Sequence, residues 1–441
     1  MKLSTRLIFI FCSYIFTCDV MAQANSDTLK ISSLKAAIDI ATQHNPTQAV
    51  YLEQIRQARY NYKATLATIY PNASASFNGT DNLHLAVTPI PGELIGHPGT
   101  VYNAQFGRKY VYNTGITLSK SLFDWTNILE TKIARQNIEL SKLQQDAFLQ
   151  TLKEQVARLY YSALIAKNAL LINNKDSLVA DSMLILSRQR LNKGLGDQLA
   201  VNQSAINCQN IAQNKAQSSQ LFNQSVENLK ILLGAGVKTQ LAFSEGLKLD
   251  SLQVMIPVLM QPDKSLGIYQ KQADLAKLQT GLTQSSFLPK IAVVSYLGGQ
   301  QFRDNFGLSM ESNSWNAYRY IGINISVPIF TGFSNINKFR SATSQQKIAQ
   351  LQYQNSSVQS EINDQLTLQN EATYHIMVQS SAVAFHLYSD NLYLNQRKYI
   401  EGIAAIDTYL KAFQDYLAAE NNYLNNLSLL LSNRAVIYSR Q

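Results

Sequence analysis

The side chains that could hold a metal ion or catalyse a reaction are scattered along this sequence rather than grouped in motifs. Its five histidines do not recur at the spacing of metal ligands, and His375 and His386 stand eleven residues apart on one helical run. No nucleophile elbow, phosphate-binding loop, Cys/His pair or paired-carboxylate motif is present. We therefore expect a protein that is not an enzyme and that needs no metal and no cofactor.

The composition favours long helices over a compact catalytic domain. The 441 residues include only 19 glycines and 9 prolines, and charged residues make up 15%. Lysine and arginine outnumber aspartate and glutamate by 38 to 29, a net charge of +9, but the excess forms no basic run of the kind that binds nucleic acid. We expect no nucleic-acid partner.

The N-terminus has the pattern of a secretory signal peptide, which we assign to residues 1–22. Lys2 and Arg6 precede an apolar core that is too short to span a bilayer. Small residues near its end allow cleavage after Ala22 or after Ala24. The sequence therefore predicts an exported protein, with either cleavage position open.

Cysteine usage limits how the exported chain can be held together. Cys18 could carry a lipid anchor, but the bulky Phe16 makes the sequence before it a poor lipidation motif. Cys208 is the one cysteine that follows the signal, so an intramolecular disulfide is excluded. The mature protein must be stabilised by packing or by association of copies.

Long helical runs dominate both halves of the chain. Residues 124–191 contain no proline and no glycine, Asp124 is suited to cap their first turn, and the run would form a helix roughly 100 Å long. Apolar residues follow two seams on such helices, which favours a wall of many packed helices over a two-stranded rod. These seams include Leu152, Val156, Leu159, Ala163, Ala166 and Leu170; the adjoining Leu164, Leu171, Leu178 and Ile185; and Tyr409, Tyr416 and Tyr423 in the last helix.

Short alternating runs, each about long enough for a tilted strand to cross a bilayer, predict β-strands over 72–80, 110–120, 290–300 and 318–330. Proline and aromatic residues mark the transitions between helix and strand: Pro71, Pro289, Pro328, Phe123 and Phe330. The stretch 81–109, rich in proline and glycine, is expected to be a loop. Four strands cannot close a barrel, and open edges cannot lie in lipid, so other copies must complete it. Three copies would supply twelve strands.

The two halves of the chain repeat the same order of features. Gly322 follows Gly115 by 207 residues, and Phe330 follows Phe123 by the same interval. In each half the strands are followed by a long helix, a glycine turn and a second long helix. This repetition predicts a duplicated unit. We assign residues 23–234 to the first structural repeat, 235–263 to an inter-repeat segment outside the helical barrel, and 264–441 to the second repeat.

The ordered set of these features resembles the TolC family of outer-membrane efflux proteins over about residues 31–440. The matching pieces are Asn45-Pro46, Tyr70-Pro71 with Leu288-Pro289, residues 119–123 with 326–330, and Tyr399-x-x-Gly402 at the second glycine turn. The resemblance implies a homotrimer in the outer membrane, with a twelve-stranded barrel and a tunnel of twelve helices in the periplasm. It further implies a periplasmic adaptor and an inner-membrane transporter as partners, and a passive conduit that opens at its helical tips.

The resemblance also suggests where the conduit narrows. The family carries a ring of aspartates near the periplasmic tip, and Asp407 is the nearest counterpart, although Leu410 occupies the place of a second acidic residue. In the first half, Asp197 comes three residues after Gly194. Either aspartate could be a gate residue, or could cap a helix or favour its positive end. We expect Gly194 and Gly402 to form the tip turns.

The sequence thus predicts a mainly α protein with a small membrane β-barrel: a long antiparallel α-helical barrel plus four β-strands per protomer, completed by a trimer. A secreted structural coiled-coil protein without a pore is the alternative, and it accounts for the heptads but not for the paired strands or the 207-residue repeat. An enzyme on a helical scaffold is disfavoured because no catalytic chemistry is visible. Drug efflux and protein secretion both fit this pattern.

Overall fold

The computed structural model describes residues 28–244, 246 and 260–441. The predicted signal peptide, Cys18 and about half of the inter-repeat segment lie outside the described residues. The α-helices of the described part are α1 (Leu34–His44), α2 (Pro46–Leu66), α3 (Trp125–Asn192), α4 (Gln198–Leu233), α5 (Lys264–Ser285), α6 (Ser334–Ile400) and α7 (Ile406–Ser439). Its β-strands are β1 (Thr28–Ile31), β2 (Asn72–Asp81), β3 (Val87–Pro91), β4 (Val101–Gln105), β5 (Tyr110–Phe123), β6 (Gln240–Phe243), β7 (Lys290–Arg303) and β8 (Asn316–Ser326).

The two longest helices confirm the predicted long helical runs. Helix α3 has 68 residues and α6 has 67, so each is roughly 100 Å long. Asp124 caps α3 as predicted, because its carboxylate accepts a hydrogen bond of 2.9 Å from the backbone N–H of Thr126. Helix α3 packs along α4, and α6 packs along α7, while α3 also contacts α5 and α7. In the described residues, no helix has a stretch that is both long and apolar enough to cross a membrane.

The break between α1 and α2 also follows the sequence pattern. Asn45 caps α2 by accepting a hydrogen bond of 2.8 Å from the backbone N–H of Thr47, and Pro46 takes the first helical position. The amide of Asn45 donates in turn to the backbone carbonyl of Leu232, at 2.8 Å. This one side chain therefore starts a helix and fixes it to the end of α4.

Strands β2, β5, β7 and β8 form one sheet in that order, with every neighbouring pair antiparallel. Strands β2 and β8 are its two outer members, and within the described chain each pairs with only one other strand. Separate two-stranded sheets are made by β1 with β6 and by β3 with β4. The β1–β6 sheet ties the first described residues to the segment between the two repeats.

Two predictions about the strands and loops were wrong in detail. The fourth strand covers 316–326 rather than 318–330, because Pro328 has no backbone N–H to continue the ladder. Phe330 therefore lies in the connection that leads into α6. The stretch 81–109, predicted to be a loop, contains the β3–β4 hairpin. Prolines can stay on β3 because its other edge pairs with no strand in the described part.

The core is spread along the helices in three clusters. The first joins β1, α1, α3 and α4. The second lies where α3, α4, α6 and α7 approach the tips, and the third lies farther from the tips, between α6 and α7. A buried ion pair, Arg434 with Glu371 at 2.8 Å, links α7 to α6. Along α6, by contrast, large apolar side chains remain exposed at Leu351, Val358, Ile362, Ile376 and Val383. One copy of the chain therefore leaves an apolar helix surface uncovered.

The turn after α4 generates the first prediction. Gly234 has φ of 67°, and a Cβ atom built on it would lie 2.2 Å from the backbone oxygen of His44. We expect Gly234→Ala to lower the free energy of unfolding by about 3 kcal/mol, since both the backbone conformation and the contact would be strained. Thermal unfolding of the purified protein measures this loss. Gly236→Ala is the matched control, because its added Cβ would meet nothing closer than 3.5 Å. Equal stabilities of the two variants would contradict the argument.

Candidate functional site

The first tip turn joins α3 to α4 through Gly194 and Asp197. Gly194 has φ of 71°, in the left-handed region that glycine adopts without strain. Asp197 caps α4, since its carboxylate accepts a hydrogen bond of 2.7 Å from the backbone N–H of Ala200. The carboxylate of Asp197, one of the two gate candidates, is therefore engaged as the N-cap of α4.

The second tip turn differs from the first at its acidic residue. Gly402 has φ of 78° and follows the end of α6. Ala405 is the residue that precedes α7, and no side chain caps that helix. Asp407 lies within the first turn of α7 and is exposed. Its carboxylate is thus free of a capping bond and lies near the positive end of the helix.

A contact between Arg190 and Tyr399 holds the ends of α3 and α6 together. The Arg190 guanidinium donates a hydrogen bond of 2.7 Å to the backbone oxygen of Tyr399 and lies 4.0 Å from the centre of its ring. The buried Tyr399 ring packs in turn against Tyr409 of α7, with 5.6 Å between the centroids. Helices α3, α6 and α7 are therefore joined at the tip. Tyr399 is visible in the sequence through the family resemblance, whereas Arg190 is not, since 209 residues separate the two.

Two buried carboxylates face each other on α3 and α7, farther from the tips. Asp176 of α3 and Glu420 of α7 are only 2% and 3% exposed. The hydroxyl of Tyr416 donates a hydrogen bond of 3.0 Å to one carboxylate oxygen of Asp176. Burial, as the larger cause, and the neighbouring Asp176 together raise the pKa of Glu420 to about 9. Burial also raises the pKa of Asp176, against the opposing hydrogen bonds with Glu420 and Tyr416 and the charge of Lys175. The pair therefore holds a proton at neutral pH, and a protonated carboxyl can be packed inside the helix bundle.

Signals for Tyr416 and Glu420 are visible in the sequence, but the contact of Glu420 with Asp176 is not. Tyr416 belongs to the stripe predicted to pack between helices, and that packing is confirmed by the burial of Tyr409, Tyr416 and Tyr423. Glu420 interrupts an apolar seam, which is a signal that it needs a polar partner. The partner, Asp176, lies on a helix in the other half of the chain.

The four-stranded sheet has two chemically different faces. The register puts mainly apolar side chains on one face, where Lys120 pairs with Val293 and Arg319 with Leu297. Several of the apolar side chains are exposed: Phe77, Ile116, Leu118, Leu297, Ile321, Ile323 and Ile325. The opposite face carries serine, threonine, asparagine, glutamine and tyrosine. Along the strands its one charged side chain is Lys290, at the end next to α5, where it pairs with Asp124 at 3.2 Å. The sheet is therefore suited to have lipid on one side and water on the other.

The predicted transition residues lie at the ends of these strands. Pro71 and Pro289 directly precede β2 and β7, and Phe123 is the last residue of β5. Pro328 follows the end of β8. Each strand thus begins or ends where the sequence marks a transition, apart from the shortened β8.

The buried pair generates a prediction about pH. Glu420 in the folded protein keeps its proton up to about pH 9, whereas in the unfolded chain it releases the proton above roughly pH 4.3. The free energy of unfolding should therefore fall as pH rises from about 4.3 to about 9, and level off above that. Glu420→Gln should remove this fall, because the amide has no proton to lose. Melting temperatures from pH 4 to pH 10 measure the difference.

The control for this experiment is Glu361→Gln, which changes an exposed carboxylate on α6. It should leave the pH dependence of the melting temperature as in the unchanged protein. Parallel curves for the unchanged protein and Glu420→Gln over the whole range would show that the pair holds no such proton.

Comparison with known proteins agrees with this geometry. The family model of outer membrane efflux proteins matches residues 37–235, from within α1 to just beyond α4. A comparison with curated protein sequences gives no match.

Among solved structures, the chain is similar to the outer membrane channel CmeC of Campylobacter jejuni, with a TM-score of 0.76 at 15% identity, over 92% of this chain and 85% of that one. It is similar to the outer membrane protein VceC of Vibrio cholerae, with a TM-score of 0.68 at 17% identity, over 92% and 93%. It also matches the outer membrane channel MtrE of Neisseria gonorrhoeae, in its open state, with a TM-score of 0.72 at 18% identity, over 92% and 88%. Residues 37–235 thus match the model of the outer membrane efflux protein family, and the fold of the chain is similar to that of these channels.

Proposed function

We propose that three copies of this chain form a channel that serves as the passive exit duct of a tripartite efflux pump or a type I secretion system. The match of residues 37–235 to the outer membrane efflux family model, together with the fold shared with outer membrane channels, supports a place in the outer membrane with the long helices in the periplasm. The proposal depends on one observation above all. Among the described residues, the sheet of four strands ends in two unpaired edges, β2 and β8, and its exposed apolar face suits it to lipid.

The edges of the sheet suit pairing between copies. Unpaired backbone N–H and C=O groups cost several kcal/mol each in hydrocarbon, so both edges need partners there. Each copy contributes four antiparallel strands, and an even number makes the joint between β8 of one copy and β2 of the next antiparallel as well. Three copies close a twelve-stranded barrel, within the even-numbered range of such barrels.

The helices support the same assembly. Leu171, Leu178 and Ile185 lie seven residues apart on α3 and are all more than half exposed in one copy, although the seam predicts a packed surface. The exposed apolar residues of α6 form a second uncovered stripe. Neighbouring copies would cover both stripes and close a wall of helices around the duct. A solitary coiled-coil protein would leave the strand edges and these stripes without partners.

The tips are the proposed gate. Gly194 and Gly402 form the turns, and the contact of Arg190 with Tyr399 holds the helix ends together. Asp407 is the gate candidate at the second tip, where three copies would bring three carboxylates toward one axis. Asp197 is the weaker candidate, because its carboxylate is already engaged in capping α4. A periplasmic adaptor that docks on these tips and an inner-membrane transporter that supplies the substrate complete the proposal.

Oligomeric state tests the assembly directly. Mature protein extracted from outer membranes should require detergent and should migrate as a trimer that dissociates on heating, because the strand edges are satisfied only between copies. Light scattering in detergent gives the mass without a gel. A detergent-free monomer in solution would exclude the channel and favour the secreted structural protein.

The gate assignment is tested by Asp407→Ala in planar lipid bilayers. Removing three carboxylates from the narrowest ring should raise the single-channel conductance and weaken the preference for cations. Asp390→Ala, which removes an exposed carboxylate from α6 away from the tip, is the control. If the conductance of Asp407→Ala equals that of the control, Asp407 only favours the positive end of α7, and the gate assignment is withdrawn.

A further inference from the structure

Three tyrosines form a cluster on the polar face of the four-stranded sheet. Tyr296 of β7 and Tyr320 of β8 stand opposite each other in the ladder, with ring centroids 5.7 Å apart and planes inclined by 21°. Tyr318, two residues before Tyr320, lies 5.7 Å from Tyr296 and is tilted by 54°. The three rings thus form an angle, which we call the corner: Tyr296 and Tyr320 are stacked, and Tyr318 is tilted against Tyr296.

Two opposed glycines make room for this corner. Gly115 of β5 pairs with Gly298 of β7, directly beside the cluster. A Cβ atom on either would lie 2.5 to 2.6 Å from an atom of the Tyr296 side chain. The ring of Tyr296 therefore covers the backbone of Gly115 and Gly298, which have no side chains. Covering these glycines explains the position of Tyr296, but it does not explain why two further tyrosines stand beside it.

The corner borders a shallow cavity of about 310 Å³ that is open to solvent on one side and is lined by the three tyrosines together with Asn113 and Gln300. The side-chain oxygen of Asn113 is buried and has no hydrogen-bond partner among the described residues. A buried acceptor without a partner costs free energy unless a water molecule or a ligand donates to it. The cavity therefore combines aromatic walls with an amide group that lacks a donor.

We propose that this cavity is a binding subsite for uncharged planar aromatic molecules that carry a hydrogen-bond donor. Aromatic rings bind other rings in offset-stacked or edge-to-face arrangements, and the corner offers both orientations. The amide oxygen of Asn113 would accept the donor. The register puts no charged side chain on this face of the sheet beside the cavity, so ionic recognition is absent from the described site.

The subsite would face the interior of the channel, and in this respect it rests on the proposed function. Tyr318 and Tyr320 are 47% and 46% exposed in one copy. The strand that would lie beside β8 in a closed barrel is β2 of the next copy, which carries Ser74, Ser76 and Asn78 on the same face. These short side chains would leave the tyrosines open to the lumen. A trimer would hold three such subsites at one level.

Benzamide is the probe, because it joins one aromatic ring to an amide donor and carries no charge. Its saturated analogue, cyclohexanecarboxamide, has the same amide and a similar size without the ring. Saturation-transfer difference NMR on the detergent-purified protein should show saturable binding of benzamide and much weaker binding of the analogue. The double variant Tyr318→Leu with Tyr320→Leu should weaken benzamide binding at least about tenfold, since two ring contacts are lost.

The matched control is Phe77→Leu, which removes an exposed ring from the apolar face of the same sheet. It should bind benzamide as the unchanged protein does, and this also accounts for partition of the probe into detergent. Equal binding of the two amides, or undiminished benzamide binding by the double variant, would overturn the subsite.

Channel measurements separate this proposal from the channel function. Benzamide added on the extracellular side of a planar bilayer should reduce the single-channel current in proportion to occupancy, and the double tyrosine variant should conduct without this block. A protein that conducts normally but binds no benzamide refutes the subsite alone. A protein that binds benzamide in the NMR experiment yet forms no trimer and carries no current refutes the channel alone.

Discussion

The unpaired edges of the four-stranded sheet are the constraint on which the rest of the structure depends. In the described part of the chain, β2 and β8 each leave a row of backbone hydrogen-bonding groups without partners, while the exposed apolar face of the same sheet suits it to lipid. Lipid supplies no hydrogen bonds, so the edges can be satisfied only by further strands. Pairing β8 of one copy with β2 of the next meets this requirement without any change in the chain itself.

The long helices fit the proposed assembly of copies. Helices α3 and α6 are far longer than a compact core can cover, and each carries exposed apolar residues at regular intervals. Within one chain the helices are joined by buried polar contacts, such as Arg434 with Glu371 and Tyr416 with Asp176. These contacts fix the relative position of the helices, since a buried polar group must meet its partner. The remaining apolar stripes are left for neighbouring copies.

Uncharged polar chemistry distinguishes the polar face of the sheet from the tips. Charged groups near the helix ends include Arg190, Asp197 and Asp407. The polar face of the sheet carries amides, hydroxyls and tyrosine rings instead, with Lys290 as its one charged side chain along the strands. A duct built in this way would favour cations over anions at its periplasmic end, through the Asp407 carboxylates, and would contact neutral molecules through rings and amides at its membrane end. The two ends would therefore select by different forces.

The sequence by itself determined the local features, because their causes are local. Asp124 and Asn45 cap helices as their side chains and neighbours require, Pro71 and Pro289 precede strands, and the absence of proline and glycine allows α3 its length. The end of β8 was missed although Pro328 is a local signal, since the apolar residues beyond it kept the strand pattern. Tertiary structure alone decided which distant side chains meet: Arg190 with Tyr399, Asp176 with Glu420, and Tyr296 with Tyr318 and Tyr320. Such pairs are set by helix packing and strand register, which bring together residues that are far apart in the chain and whose spacing in sequence carries no trace of the contact.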